Sequence, residues 1–242
     1  MARRRLLTGD ERRRLFDPPV QETAIIGHYT LSAEDVELVG RRYGPANRLG
    51  LAAQIALMRH PGFGLQPEIG LPDVILQYLA AQLFVDPSSF SAYGQRAQTR
   101  TDHADLVARY LGIRPFRRGD LALALNLAAQ AAEYTDRGEP IVRALMVGLK
   151  GERFILPSGD TLERAGLAGR ARARKAAAAA IVEGLSSAEL TRLDELVINN
   201  PDFGMTPLAW LRNFEEAPTA ANINGLLERL RYVRGIGMVL SG

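Results

Sequence analysis

The chain contains no cysteine. That excludes disulfides and every zinc site built on thiolates. Histidine is nearly as scarce: His28, His60 and His103 lie in separate segments, and no H-x-x-x-H pair exists. Paired imidazoles on one helix face are therefore missing, and neither a metal nor a cofactor is expected. No apolar run approaches the ~20 residues that span a bilayer, the longest weakly polar stretch being that around Ala176 to Ile181. The N-terminal MARRRLLTGDERRRLF is basic but lacks the apolar segment of a signal peptide. These absences predict a cytoplasmic protein with no membrane partner. The phosphate loop G-x-x-x-x-G-K-[ST] and the nucleophile elbow G-x-S-x-G are absent too. Asp202–Gly204 reads D-F-G, but no glycine-rich loop, strand lysine or H-R-D triplet accompanies it. The acidic pairs Glu34–Asp35, Asp194–Glu195 and Glu215–Glu216 fall on predicted helices, where adjacent side chains point apart. The sequence describes a binder rather than a catalyst, with no catalytic residue and no small-molecule substrate.

What is present is hydrophobic bulk and arginine. The 242 residues are 47% hydrophobic, enough for one large domain or two modest ones. The net charge is only +3, yet it is unevenly spread. Six arginines fall within residues 3 to 14, six more between Arg96 and Arg118, and a third cluster follows Ser158. Lys150 and Lys175 are the only lysines. A preference for arginine fits phosphate recognition, since the guanidinium fork matches phosphate oxygens. It fits the codon usage of a GC-rich genome equally well.

Alanine and leucine dominate, and β-branched alternation is nearly absent, so the pattern is all-α. Ser32 and Asp35 form a capping box opening a helix to about Arg42. YGPA breaks it, a second helix runs from about Asn47 to His60, and PGFG stops that one. Pro72 starts a helix to Val85, and another from about Gln95 to Leu111 ends at Gly112. IRPFRRGD combines proline, glycine and charge and predicts a boundary, giving two lobes: residues 1–114 and 115–242. Helices at Leu121–Tyr134 and Pro140–Lys150 follow. GERFILPSG is a turn with room for one short extended piece. Asp160 and Glu163 suggest the next capping box, and further helices lie near Ser187–Val197, Pro207–Phe214 and Ala220–Val233. PGFGLQP (from Pro61) and PDFGMTP (from Pro201) read as two helix-stop loops rather than a repeat.

Two helix pairs have the layout of a helix-turn-helix. In the first, the helix after YGPA is apolar nearly all round, hence mainly core, with Arg41, Arg42 and Arg48 flanking its start for phosphate contacts. In the second, Pro140–Lys150 precedes the helix at 160–181. At about 100° per residue, Leu162, Gly169, Ala173, Ala176 and Ala180 share one face, while Arg164, Arg170, Arg172, Arg174 and Lys175 cover the opposite arc. Small residues permit close packing, and a wide basic arc suits a polyanion; a solvated arginine-rich surface is the plainer alternative. His103 shares a helix face with Arg96 and Arg100, where it could touch phosphate or serve as a partly exposed structural histidine.

The motif order resembles the N-terminal part of the Tn-three family of replicative bacterial transposases. LTGDERRRLFDPP, HYTLSAEDVELVGRRYGPANRLGLAAQIALMRHPGF, LPDVILQYLAAQL, YGQRAQTRTDHADLVARYLGIRPF and FILPSGDTLERAGLAGRARARK carry the resemblance in this order. It implies helix-turn-helix modules that bind the double-stranded terminal inverted repeats of a transposon, with chemistry in a ribonuclease-H-like domain that this chain lacks. Carried over as DNA contacts are Arg42, Asn47 and Arg48, then Arg96, Arg100 and His103, then Arg164, Arg170, Arg172, Arg174 and Lys175. The implied partners are inverted-repeat DNA and the remainder of the transposase or a second copy. The competing function is a helical protein-interaction module for transposase assembly or regulation without base reading.

Overall fold

A computed structural model describes residues 5–65, 71–95, 97–202, 204–213 and 220–236. The chain divides into two compact units, Met1–Arg174 and Lys175–Gly242. Among the described residues the architecture is all-α, with one two-stranded parallel sheet.

The first unit holds two apolar cores. One is built by α2 (Glu22–Tyr29), α3 (Ala33–Gly40), α4 (Pro45–Arg59), α5 (Asp73–Leu83) and α6 (Ala97–Leu111). Its centre is α4, in which every residue from Leu49 to Met58 is buried, as an apolar circumference requires. The expected punctuation is present. Ser32 and Asp35 close a capping box at the start of α3, and Gly112 ends α6 in the left-handed region at φ +62°.

The other core joins α1 (Gly9–Phe16), α7 (Leu121–Tyr134), α8 (Gly138–Gly151) and the beginning of α9 (Gly159–Glu183). Helices α7 and α8 pack along each other across the short turn 135–137. The short extended piece expected in GERFILPSG is β2 (Phe154–Ile155), paired with β1 (Arg114–Pro115). A further bridge from Leu156 to Phe63, with the Leu156 N–H donating to the Gly62 carbonyl at 2.9 Å, stitches the loop after α4 to the second core.

The structure corrects one detail at the start of α9. Asp160 and Glu163 do not form a capping box: the helix begins a residue earlier, and both acids turn to Arg12 of α1. Glu163 is buried, so a tertiary cation is a better partner than a frayed helix end. Helices α1 and α2 were not anticipated. The former carries its own capping box between Thr8 and Glu11.

The second unit comprises the end of α9, then α10 (Ser187–Glu195), α11 (Pro207–Arg212) and α12 (Ala220–Ile236). Ser186 with Glu189 caps α10, and Thr206 caps α11. Trp210 packs edge-on against Tyr232, and the Arg229 guanidinium lies over the Trp210 ring.

One buried charge organises the first core. Asp35, fully buried, receives Arg59 through two bonds of 2.5 and 2.7 Å, the Ser32 N–H at 2.8 Å and the Tyr110 hydroxyl at 2.8 Å. Burial pushes its pKa up, but the Arg59, Ser32 and Tyr110 bonds outweigh that and hold it below the ordinary carboxylate value. A depressed native pKa contributes stability that is complete above the unfolded pKa and lost as pH falls through the native one. Asp35→Ala should therefore destabilise the protein by about 3 kcal/mol, the low end for a broken buried pair because Arg59 is 35% exposed. Urea denaturation checks this, and the difference from the parent should shrink as the pH is lowered into the acid range.

Candidate nucleic-acid interface

The turn between α3 and α4 places the first group of candidate residues. Gly44 takes φ +82°, a backbone conformation that residues with a side chain rarely adopt, and Pro45 follows at the first helical position, where its ring fixes φ and no N–H is lost. Asn47 donates from its amide to the Tyr43 carbonyl at 3.0 Å, and Arg48 donates from Nε to the Arg42 carbonyl at 3.0 Å. Both side chains thus brace the turn they follow. Arg48 is exposed, and neither it nor Arg42 has a carboxylate partner among the described residues. Arg41 does, pairing with Glu37 at 2.7 Å. Tyr43, between them, is 95% exposed. An aromatic ring with no core role beside uncompensated arginines is a candidate that the sequence reading passed over; the signal was its place in the breaker segment RRYGPANR.

The middle run meets this turn in space. His103 is buried, with Nδ1 3.0 Å from the Tyr93 hydroxyl. That hydroxyl accepts from the Gln54 amide at 2.8 Å, and the same amide donates to the Arg100 carbonyl at 3.0 Å. With Gln54 donating to it, the Tyr93 hydroxyl has its own proton free to donate to His103 Nδ1, an arrangement that pairs with a neutral ring. Burial, reinforced by the charge of Arg42 and opposed by Asp102, lowers the His103 pKa, in keeping with that state. Arg100 is half-buried and donates to the Gly94 carbonyl at 2.7 Å. The structure therefore brings Arg42, Arg100 and His103 to one locality, with His103 facing inward. Arg96 lies outside the described residues.

The second group lies on α9. Leu162, Ala165, Gly166, Gly169 and Ala173 are buried, while Ala176 and Ala180 are exposed, so the small-residue seat ends earlier than the wheel suggests. Opposite it, Arg164, Arg172, Arg174 and Lys175 are exposed and Arg170 is half-buried. Arg174 forms a two-pronged pair with Asp136, and Arg170 donates to the Asp136 carbonyl at 3.2 Å. Arg172 donates to the neutral Asn126 side chain at 2.7 Å, and Arg164 bonds only within its own helix turn. Of the five basic side chains, Arg174 alone has a carboxylate partner among the described residues. No hydrogen bond or ion pair joins Arg164, Arg170, Arg172 or Arg174 to the α3–α4 turn among the described residues. Nor does any group of three or more His, Asp or Glu side chains there stand placed to hold a metal ion. No described helix is long and apolar enough to cross a membrane.

The model of the family described as "Domain of unknown function (DUF4158)" matches residues 6–168. The chain belongs to this family. The match takes in both cores, the α3–α4 turn and Arg164, and stops before Arg170. The chain is 33% identical over 239 residues to the transposase for transposon Tn501 of Pseudomonas aeruginosa, covering 99% of this chain and 24% of that protein. It is 34% identical to the transposases for transposons Tn3926 and Tn21 of Escherichia coli, over 231 and 232 residues, covering 96% of this chain and 23% of each of those proteins. The resemblance to Tn-three-family transposases read from the motif order is thus met in the DUF4158 chain's relatives. The chain spans about a quarter of the length of the curated relatives it matches.

Two substitutions separate scaffold from contact. A Cβ on Gly169 would lie 2.6 Å from the Ala128 Cβ and 2.7 Å from that residue's backbone. Gly169→Ala should cost roughly 1–3 kcal/mol by overpacking, against the ~1 kcal/mol gain that helix propensity alone would give. Thermal denaturation reads the sign. Tyr93→Phe should cost roughly 1–3 kcal/mol, because Gln54 and His103 both lose a buried partner.

Proposed function

We propose that this DUF4158 chain binds the duplex DNA of transposon terminal inverted repeats, as the N-terminal part of a transposase like those it resembles. The observation that carries the reading is the α9 arc: five basic side chains on one helix, one carboxylate partner among them, seated on residues too small to do anything but pack. A wide cationic face held rigidly by a close helix contact suits the phosphate backbone. The α3–α4 turn adds Arg42, Asn47, Arg48 and Tyr43, with Arg100 beside them and His103 acting as a positioning residue from within. The two helix pairs serve as helix-turn-helix modules in this reading, one in each of the lobes 1–114 and 115–242. Strand cleavage and joining belong to a part of the transposase outside this chain.

Arg164 stands nearest the start of α9, where recognition helices reach base edges, with Arg170 the next candidate for base reading, and Arg172, Arg174 and Lys175 serve phosphates. Gel shifts with an inverted-repeat duplex and a scrambled one test this. Affinity should fall with a slope of about −0.9 in log K against log salt for each phosphate engaged. Arg164→Ala should lower the specific-to-scrambled ratio by roughly tenfold, the size of a lost base contact worth about 1–3 kcal/mol. Arg172→Ala should weaken both duplexes alike and reduce the slope by about one. A flat salt response, or a ratio untouched by Arg164→Ala, would sink the respective claim.

A second reading applies to the second unit, on a specific observation. Ile223, Leu226, Leu230 and Val233 of α12 are each between 42% and 55% exposed, at the alternating three- and four-residue spacing of a helix-pairing seam. That face fits a protein partner, either the remainder of the transposase or a second copy. Leu226→Glu with Leu230→Glu should leave DNA affinity unchanged while weakening association with the full-length transposase, followed by light scattering. Unchanged association would remove this reading.

A further inference from the structure

The rings of His28 and His60 stack face to face, with centroids 3.7 Å apart and planes within 3°. His28 comes from the end of α2, and His60 follows α4 directly. Lys150, near the end of α8, sets its ammonium 3.4 Å from the carbonyls of Arg59 and Pro61, on either side of His60. Elements of both cores in the first unit thus converge on one spot, and they bring only groups that carry positive charge when protonated.

Among the described residues no carboxylate forms an ion pair with His28, His60 or Lys150. The charges acting on His60 are those of His28 and Lys150. Arg59, its chain neighbour, is matched by Asp35, so that pair adds no net charge. Tyr29 contributes an aromatic edge, its ring centroid 6.4 Å from His28 and 6.3 Å from His60, and a hydroxyl whose pKa burial pushes up. Burial first, then His28 and Lys150, lower the His60 pKa to about 4. A stack of two like rings beside an ammonium is a poor arrangement for an isolated surface and a good one around an anion. His28 and Lys150 are exposed and His60 is half-buried, so an anion can reach them. The ammonium has three protons, and two carbonyls engage at most two.

We propose that His28, His60 and Lys150 form a binding site for one phosphate group, either in the backbone of a nucleic acid or free in solution. A phosphate there supplies the missing negative charge and favours the protonated form of His60. Binding therefore takes up a proton, and affinity rises as pH falls from neutral toward the free His60 pKa. The nucleic-acid form of the site rests on the DNA-binding reading; the free-phosphate form does not.

Proton NMR of the imidazole resonances tests this in the intact chain, titrated in sodium phosphate and in sodium chloride at equal ionic strength. We expect the His60 midpoint to lie about one pH unit or more higher in phosphate. Lys150→Met should raise the midpoint in chloride, by removing a repulsive charge, and abolish most of the difference between the two salts. His28→Ala should do the same, with circular dichroism as the check on folding. A third arm replaces phosphate with a short duplex. A duplex-induced rise assigns the site to nucleic-acid phosphate, and a rise with phosphate alone assigns it to the free anion. Identical midpoints in chloride, phosphate and duplex overturn the proposal, whatever the variants do, and leave a stack that only packs. Should gel shifts show no duplex binding while phosphate still moves His60, the DNA reading fails and the anion site stands.

Discussion

The carboxylate of Asp35 fixes the first core. It caps α3 from within the first turn, grips Arg59 at the far end of α4 and accepts from Tyr110 on α6. Three helices meet on one side chain, and each bond has a direction that apolar packing lacks. Apolar contact alone would let α3 slide along α4, since Leu49 to Met58 offer a continuous greasy surface. A buried charge with four donors tolerates no such slide, because any displacement leaves it desolvated and unpaired. The α3–α4 turn, with Arg42, Tyr43 and Arg48, therefore inherits its place from a pair at the opposite end of α4.

Arginine plays two parts, and the tertiary structure separates them. Near the N-terminus, Arg12 takes Asp160 and Glu163, Arg13 takes Asp10, and Arg14 shares Glu139 with Arg143. These cations hold α1 to α8 and α9, so this described part of the basic stretch is largely neutralised by the fold. At the α3–α4 turn and along α9 most arginines have carbonyls, amides or solvent instead. A neutral acceptor orients a guanidinium without cancelling its charge, and charge left oriented is what a phosphate backbone attracts. Counting arginines along the chain cannot make this division, since Arg14 and Arg172 look alike until their partners are known.

Much of the helical layout was nevertheless legible. Ser32 with Asp35, the YGPA break, Gly112 and Tyr134 marked helix ends within a residue or two, because caps and breakers act locally. The all-round burial of α4 and the first part of the small-residue face of α9, Leu162 to Ala173, followed from periodicity alone. Helices α1 and α2 did not stand out: each has eight residues, and α2 has no side-chain cap. Thr8 and Glu11 were a usable capping signal, overshadowed by the charge around them. The inward turn of His103 was not legible at all. Tyr93 and Gln54 hold it, and neither belongs to its helix, so only the fold could reveal that an apparent surface histidine is buried and hydrogen-bonded inward.

The end of α9 shows how far propensity can go without packing. Ala173 is its last buried residue, yet the helix continues to Glu183 through five consecutive alanines. A helix that leaves its seat usually frays, because backbone hydrogen bonding alone barely offsets chain entropy. Alanine loses no side-chain freedom and has the highest helix propensity, so the run needs no neighbour to stay wound. Gly166 and Gly169 do the opposite within the same helix: they weaken it intrinsically but allow the approach to Leu6, Val142 and Ala128. The helix thus anchors by glycine where it touches the core and persists by alanine where it does not. Arg170 to Lys175 fall where the first regime gives way to the second. There the helix is still seated on α7 through the approach of Gly169 to Ala128, and the side chains of Arg172, Arg174 and Lys175 are exposed, which is the combination a rigidly presented cationic surface requires.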